Sequence, residues 1–353
     1  MAPVELGLPG VRSTPDVSTR PDLPGLIDSF GRVATDLRVS LTDRCNLRCT
    51  YCMPAEGLEW LPSGDLLTGA ELIRLIRVAV DRLGVRELRF TGGEPLLRKD
   101  LPQILAAAAE LRPRPRMSLT TNAVSLARKA GQLTLAGLDR INVSLDTLRP
   151  DRFAAITRRD RLDDVLEGLA AAHEAGLRPV KVNTVLMRGV NEDEAPELLQ
   201  FCLDHGYQLR FIEQMPLDAQ HEWDRTTMIT AEEILDRLSA RFTLTPEAST
   251  ARGAAPAERW LVDGGPATVG VIASVTRPFC AACDRTRLTA DGALRTCLFA
   301  TTETDLRGPM RAGASDEELA QLWRAAMWGK AKGHGINDDG FAQPDRPMSA
   351  IGG

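Results

Sequence analysis

No run of apolar residues in this 353-residue chain approaches the roughly 20 needed to cross a bilayer, so a membrane-spanning protein is not expected. The N-terminus lacks the basic-then-apolar pattern of a secretory signal, which points to the cytoplasm. Positive charge is not in excess. The 43 Lys and Arg against 48 Asp and Glu leave a net charge of −5, which argues against a general nucleic-acid surface but not against a local basic pocket. Histidine is scarce, and His205, His221 and His334 have no paired spacing that would suit a zinc ribbon. No repeat of fixed period and no low-complexity segment stands out in the folded part. Cysteine is sparse as well, but six of the seven fall into two triplets, Cys45/Cys49/Cys52 and Cys280/Cys283/Cys297. A set of three cannot pair internally without one left over, so metal binding in a reducing compartment fits better than disulfides. Cys202, alone on an apolar helical face, reads as a buried small hydrophobe.

What is present is enough apolar residue, 43%, for one large core and a smaller second region. Residues 1–34, rich in Pro, Gly, Ser and Asp, read as a flexible extension. From Thr35 onward, strands alternate with helices. Strands are expected at Asp36–Leu41, Arg86–Thr91, Arg116–Thr121, Ile141–Asp146, Pro179–Leu186 and Gln208–Glu213. Helices are expected between them, the first opened by a Thr68/Glu71 capping box. Six βα units in about 180 residues imply a parallel sheet with helices outside. The fold class is therefore α/β, and an incomplete TIM-type (β/α)6 barrel over residues 35–229 is the arrangement that also suits the family resemblance carried by the motifs below. A smaller region, 230–332, carries the second triplet on short strands around Phe242–Leu244, Arg259–Val262 and Ala267–Ile272. Residues 333–353 are polar and glycine-rich and read as a mobile tail.

The first triplet has C-x-x-x-C-x-x-C spacing on the loop that leaves the first strand. Such a loop can aim three thiolates at one spot, and three soft ligands suit an iron–sulfur cluster with one open iron, or else a structural zinc. Tyr51 offers an aromatic face beside it. Gly92-Gly93-Glu94-Pro95 follows the second strand, where two glycines let backbone approach a ligand closely. The second triplet, C-x-x-C and a third cysteine after thirteen residues, again leaves an open metal position; zinc here would need a fourth ligand. Arg285 and Arg287 lie between its cysteines, and planar forked guanidiniums match phosphate or the edge of guanine. Strand alternation lets Arg38, Arg89, Lys181 and Arg210 face the same cavity, and together these cations point to a polyphosphate pocket in an acidic protein.

The cysteine loop with its aromatic residue resembles the signature of radical S-adenosylmethionine (SAM) enzymes. With G-G-E-P, T-T-N, N-V-S-L-D, V-K-V-N-T-V, R-F-I-E-Q-M, the block F-C-A-A-C-D-R-T-R-L and the terminal Gly352-Gly353, residues 35–353 closely resemble the GTP 3′,8-cyclase family of molybdenum cofactor biosynthesis. The resemblance implies two 4Fe-4S clusters, on Cys45, Cys49 and Cys52 and on Cys280, Cys283 and Cys297, the first cleaving SAM and the second meeting the guanine base. It implies SAM contacts from Tyr51, Gly93, Ser144 and Met215. It implies GTP contacts from Arg38, Arg89, Thr120, Lys181, Arg210, Arg285, Thr286 and Arg287. The implied lyase reaction abstracts hydrogen from the ribose C3′ and joins C3′ to C8, giving 3′,8-cyclo-7,8-dihydro-GTP. The implied partners are GTP, an electron donor and a downstream cyclic pyranopterin monophosphate synthase, with a homodimer as one possible assembly. Gly352-Gly353 resembles a tail that enters the active site. One departure is Ala123 after Asn122, where relatives often carry glycine. The rival expectations are a peptide-modifying radical SAM enzyme with an auxiliary cluster and a non-enzymatic zinc or nucleotide-binding protein.

Overall fold

The computed structural model describes residues 17–248 and 252–352. The chain opens with β1 (Asp36–Ser40), α1 (Gly69–Asp81), β2 (Glu87–Thr91), α2 (Leu101–Ala109), β3 (Arg116–Thr121), α3 (Ala130–Leu135) and β4 (Arg140–Ser144). It continues through α4 (Pro150–Thr157), α5 (Leu162–Glu174), β5 (Val180–Val185), α6 (Ala195–Asp204) and β6 (Gln208–Ile212). Then follow α7 (Ala231–Ser239), β7 (Leu244–Pro246), β8 (Glu258–Val262), β9 (Thr268–Ile272), β10 (Arg285–Leu288), β11 (Ala293–Arg295) and β12 (Thr304–Asp305). The chain closes with α8 (Arg307–Arg311), α9 (Asp316–Trp328) and α10 (Met348–Ile351).

Local chemistry sets these elements. Thr68 caps α1 by accepting from the Glu71 amide, while the Glu71 carboxylate accepts from the Thr68 amide at 2.8 Å; Leu72, Leu75, Ile76 and Ala79 then share the buried face. The same box opens α7 with Thr230/Glu233 and α9 with Ser315/Glu318. In the strands the usual polarity is divided between two buried faces. On β1, Leu37 and Val39 pack outward under the helices, while Asp36, Arg38 and Ser40 face the barrel interior.

Among the described residues, twelve strands form one sheet in the order β12-β11-β10-β1-β2-β3-β4-β5-β6-β9-β8-β7. The six expected strands are parallel neighbours, and β10 joins β1, and β9 joins β6, also in parallel. The region after residue 230 therefore extends both open edges of the partial barrel. Because β9 and β10 run the same way on opposite edges, the loop between them, residues 273–284, has to travel along the open side, and it carries Cys280 and Cys283.

Three expectations change. Strands β10 to β12 had no counterpart in the sequence reading. Residues 17–34 are not a loose extension: Leu26 and Asp28 are buried, Ile27 bridges Val33, and Thr35 bonds back to the Asp284 carbonyl at 2.9 Å. Residues 1–16 lie outside the described part. The tail is packed rather than loose, because Met348 and Ile351 join an apolar cluster with Leu217, Met228, Val275, Phe299 and Ile336. Arg346 also forks onto Asp291 at 2.9 and 2.7 Å. Gly353 lies outside the described residues.

Candidate active site

The first cysteine loop leaves the C-terminal end of β1 and is held by backbone. The amides of Arg48 and Thr50 donate to the last carbonyls of α4, at Thr157 and Ile156, both at 2.9 Å. Arg158 donates back to the carbonyls of Arg48 and Met53. The G-G-E-P turn locks onto the same loop: the Gly93 and Glu94 amides donate to the carbonyls of Thr42 and Arg44 at 2.7 Å each. A Cβ on Gly93 would lie 2.4 Å from the carbonyl oxygens of Asp43 and Arg44, so only glycine fits there. With those amides engaged, the turn can offer a ligand carbonyl acceptors, which suits an ammonium group. Glu94, fully buried, accepts from the Leu96 and Asn122 amides and from the Thr121 hydroxyl, joining G-G-E-P to T-T-N. Ala123 does adopt positive φ, at 63°, in the conformation glycine favours.

Cys45 and Cys49 line one cavity with Gly92, Gly93, Asn122 and Ser349. A larger cavity of about 280 Å³ runs through the barrel from Tyr51 and Cys52 to Cys280, Cys283 and Cys297. Tyr51, Cys52, Thr120, Ser144, Asp146 and Met348 line both. Each triplet therefore opens onto the same interior. Burial pushes the Cys45 thiol up to about 11 and the Cys52 thiol up to about 12, with Cys49 also raised. Thiolates there need a cation, and the donor set fits the three ligands of a 4Fe-4S cluster. At Cys283 burial also opposes the thiolate, but Arg285 and Lys330 outweigh it and hold the group below its ordinary value. Among the described residues no three His, Cys, Asp or Glu side chains are gathered as for a single ion.

Between the two ends the lining is cationic and polar. Arg38, Arg89, Arg210, Arg285 and Arg287 line the cavity with Thr120, Asn142 and Asn183. Arg89 pairs with Asp36 at 2.9 Å, and Arg140 with Glu87 at 2.7 Å beneath them. Among the described residues, Arg38, Lys181, Arg210 and Arg287 have no carboxylate at ion-pair distance. Arg210 donates to the Asn142 side chain at 2.8 Å, but its Nε has no partner; the Nε of Arg38 is likewise buried and unpartnered. Burial, then the neighbouring cations, lowers Arg38 far below its ordinary value and brings Arg210 to about 9 and Lys181 to about 7. Uncompensated positive charge of this kind is relieved by a bound polyanion.

The remaining expected residues divide. Met215 lines the larger cavity beside Tyr51, whose hydroxyl donates to Asp146 at 2.8 Å. Lys181 faces inward on β5 but is not part of the cavity wall; it lies one pair below Asn183. Thr286 points the other way. Alternation on β10 sends Arg285 and Arg287 inward and turns Thr286 out, where Trp323 Nε1 donates to its hydroxyl at 3.0 Å. The Thr286 side chain is thus turned away from the cavity that Arg285 and Arg287 line. Sequence reasoning missed Asn142 and Asp146, although they share the Ser144 face of the chain by period two. It also missed Asn183, two residues after Lys181, and Lys330, for which no local signal exists.

Residues 39–202 match the family model of the Radical SAM superfamily, and residues 207–336 match that of Molybdenum Cofactor Synthesis C. A GTP 3′,8-cyclase of Streptomyces coelicolor is 70% identical over 328 residues, covering 93% of this chain and 96% of the relative. A GTP 3′,8-cyclase of Mycobacterium sp. strain KMS is 63% identical over 353 residues, all of both chains. Streptococcus suis SuiB, solved bound to S-adenosylmethionine, superposes with a TM-score of 0.58 at 17% identity over 84% of this chain and 68% of its own, a likeness of fold. With the cysteine loops, the barrel and full-length relatives in agreement, this chain belongs to the GTP 3′,8-cyclase family of radical SAM proteins.

Proposed function

We propose that the protein is a lyase that converts GTP to 3′,8-cyclo-7,8-dihydro-GTP in molybdenum cofactor biosynthesis, using SAM and two 4Fe-4S clusters. The observation that carries this reading is a pair of cavities that share a wall inside the barrel, with one cysteine triplet at either end and arginines without carboxylate partners between. When bound, the first cluster and SAM supply a one-electron route to a hydrogen-abstracting radical. The protein's own residues do the rest. Cys45, Cys49 and Cys52 would hold the first cluster, and Cys280, Cys283 and Cys297 the second. The carbonyls of the Gly93 turn would accept from the SAM ammonium, with Ser144 at its carboxylate and Tyr51 and Met215 about the adenine. Arg38, Arg89, Arg210, Arg285 and Arg287, with Lys181 beneath, would fix the triphosphate and guanine so that C3′ faces the SAM side. Enclosure by the barrel excludes water and competing hydrogen donors.

An electron donor and a downstream cyclic pyranopterin monophosphate synthase are the partners this chemistry requires. Cytoplasmic location is supported by seven free cysteines; among the described residues no helix is long and apolar enough to cross a membrane. The test is anaerobic incubation of reconstituted protein with SAM, a reductant and GTP deuterated at C3′. Because the product is isomeric with GTP, it is resolved chromatographically before mass spectrometry. Deuterium should appear in 5′-deoxyadenosine together with cyclised product. Unlabelled 5′-deoxyadenosine and unchanged GTP would reject the reading.

A further inference from the structure

Lys330 stands just past the end of α9, at 3% exposure. Its Nζ donates to the Sγ of Cys283 at 3.3 Å and to the Arg285 carbonyl at 2.7 Å. Among the described residues no carboxylate lies at ion-pair distance from it. A buried ammonium with only a carbonyl and a thiol for company is unfavourable unless an anion completes the site. The next two residues are pinned. Arg32 donates to the carbonyls of Ala331 at 2.6 Å, Lys332 at 2.8 Å and Cys280 at 2.8 Å, and is itself held by Asp28 at 2.5 Å. Helix α9 on one side and the Arg32 clamp on the other keep the ammonium from swinging away to solvent.

We propose that Lys330 is a positioning residue of the second cluster, which holds the Cys283 ligand through a charged N–H···S bond and thereby raises that cluster's reduction potential. The physical ground is the direction of the field. Reduction adds negative charge to a cluster, and a fixed positive donor on one ligand sulfur favours the more negative form. The effect is local, because Lys330 contacts the second triplet alone and the first lies at the other end of the cavity. The inference rests on the reading that Cys280, Cys283 and Cys297 hold a cluster.

The experiment is a redox titration followed by electron paramagnetic resonance on the reconstituted full chain, wild type against Lys330→Gln and Lys330→Arg. Glutamine keeps a donor and loses the charge, while arginine keeps the charge. The first cluster is recognised by the spectral change on adding SAM. The Gln variant should titrate the second cluster at a more negative potential, with the first unchanged and the Arg variant close to wild type. Failure of the Gln variant to load the second cluster, with full loading of the Arg variant, supports the same charge requirement. A fully loaded Gln variant with unmoved potential overturns the proposal, as does loss of loading in both variants, which would mean that side-chain shape and not charge is needed. Wild-type protein with iron for only one cluster, unaffected by Cys297→Ala, would reject the second cluster itself and is a distinct result.

Discussion

Lys181→Met offers a test in which stability and binding should move in opposite directions. The ammonium sits inside the barrel on β5, and burial, then Arg210, Arg140, Arg89 and Arg259, brings its pKa from 10.5 down to about 7. Between those values the unfolded chain binds the proton more fully than the folded one, so stability contributed by this group rises with pH through the window from about 7 to 10.5. By linkage the native state is disfavoured by about 4 kcal/mol at pH 7 and about 2 kcal/mol at pH 9. Lys181 is only partly buried, and solvent screening reduces both. Methionine keeps the apolar stem and carries no charge. The variant without ligand should therefore be more stable than wild type by about 2–4 kcal/mol at pH 7, a gain that shrinks toward pH 9. Denaturant titrations at both pH values measure it. GTP affinity should fall roughly tenfold or more, since a charged hydrogen bond contributes about 1.5–3 kcal/mol. In the wild type, GTP should bind more tightly below pH 7 than above, with a proton taken up. Equal stability of the two proteins at both pH values, with unchanged GTP affinity by calorimetry, would refute the placement of Lys181 beneath the phosphates.

Replacing Cys49 with alanine should abolish reductive SAM cleavage while the second cluster's iron is retained; normal 5′-deoxyadenosine formation would remove the first-cluster assignment. Thr286→Val should lose the bond from Trp323 and about 1 kcal/mol of stability, with GTP affinity unchanged by equilibrium dialysis; a tenfold loss of affinity would mean that this residue turns inward. Deleting Gly352 and Gly353 should leave both clusters and SAM binding intact and change stability by about 1 kcal/mol or less, while cyclised product falls sharply; full-rate product formation would make the tail a passive terminus.

The parts legible in the sequence were those with strong local periodicity or spacing. The six parallel strands carry alternating or continuous apolar residues, and both cysteine triplets announce themselves by spacing. Strand β10 did not, for a physical reason. In Arg-Thr-Arg-Leu the inward face is charged because it meets the substrate cavity, and the outward face includes a threonine bonded to Trp323. Neither face shows the apolar stripe that marks a strand. The same inversion explains why all three residues of Arg285–Arg287 looked like substrate contacts, although the pleat allows only two to face inward. The packed tail was hidden because its anchors are long-range, with Arg346 on Asp291 and Met348 donating to the Leu217 carbonyl at 3.0 Å. Composition alone made residues 17–34 look loose, although Arg32 ties them to residues about 250 and 300 positions away.

The C-terminal region is thus part of the reaction chamber. Without it the partial barrel would have two open edges and a cavity exposed along its side. By adding β10 beside β1 and β9 beside β6, it places Arg287 in register with Arg38 and Gly270 with Arg210; the loop between β9 and β10 brings Cys280 and Cys283 to the far wall, where Cys297, just after β11, joins them. The tail then enters from the same region. Arg287 donates to the carbonyl of Gly352, whose Cα sits so close to Ser40 and Thr91 that a Cβ would lie within 3.0 Å of both. A carbonyl oxygen bears only part of a charge, whereas a phosphate oxygen makes a charge-assisted bond roughly twice as strong. The inserted glycine therefore occupies a guanidinium that a polyphosphate would hold more firmly, and the bare backbone lets the tail share that space with a ligand or yield it.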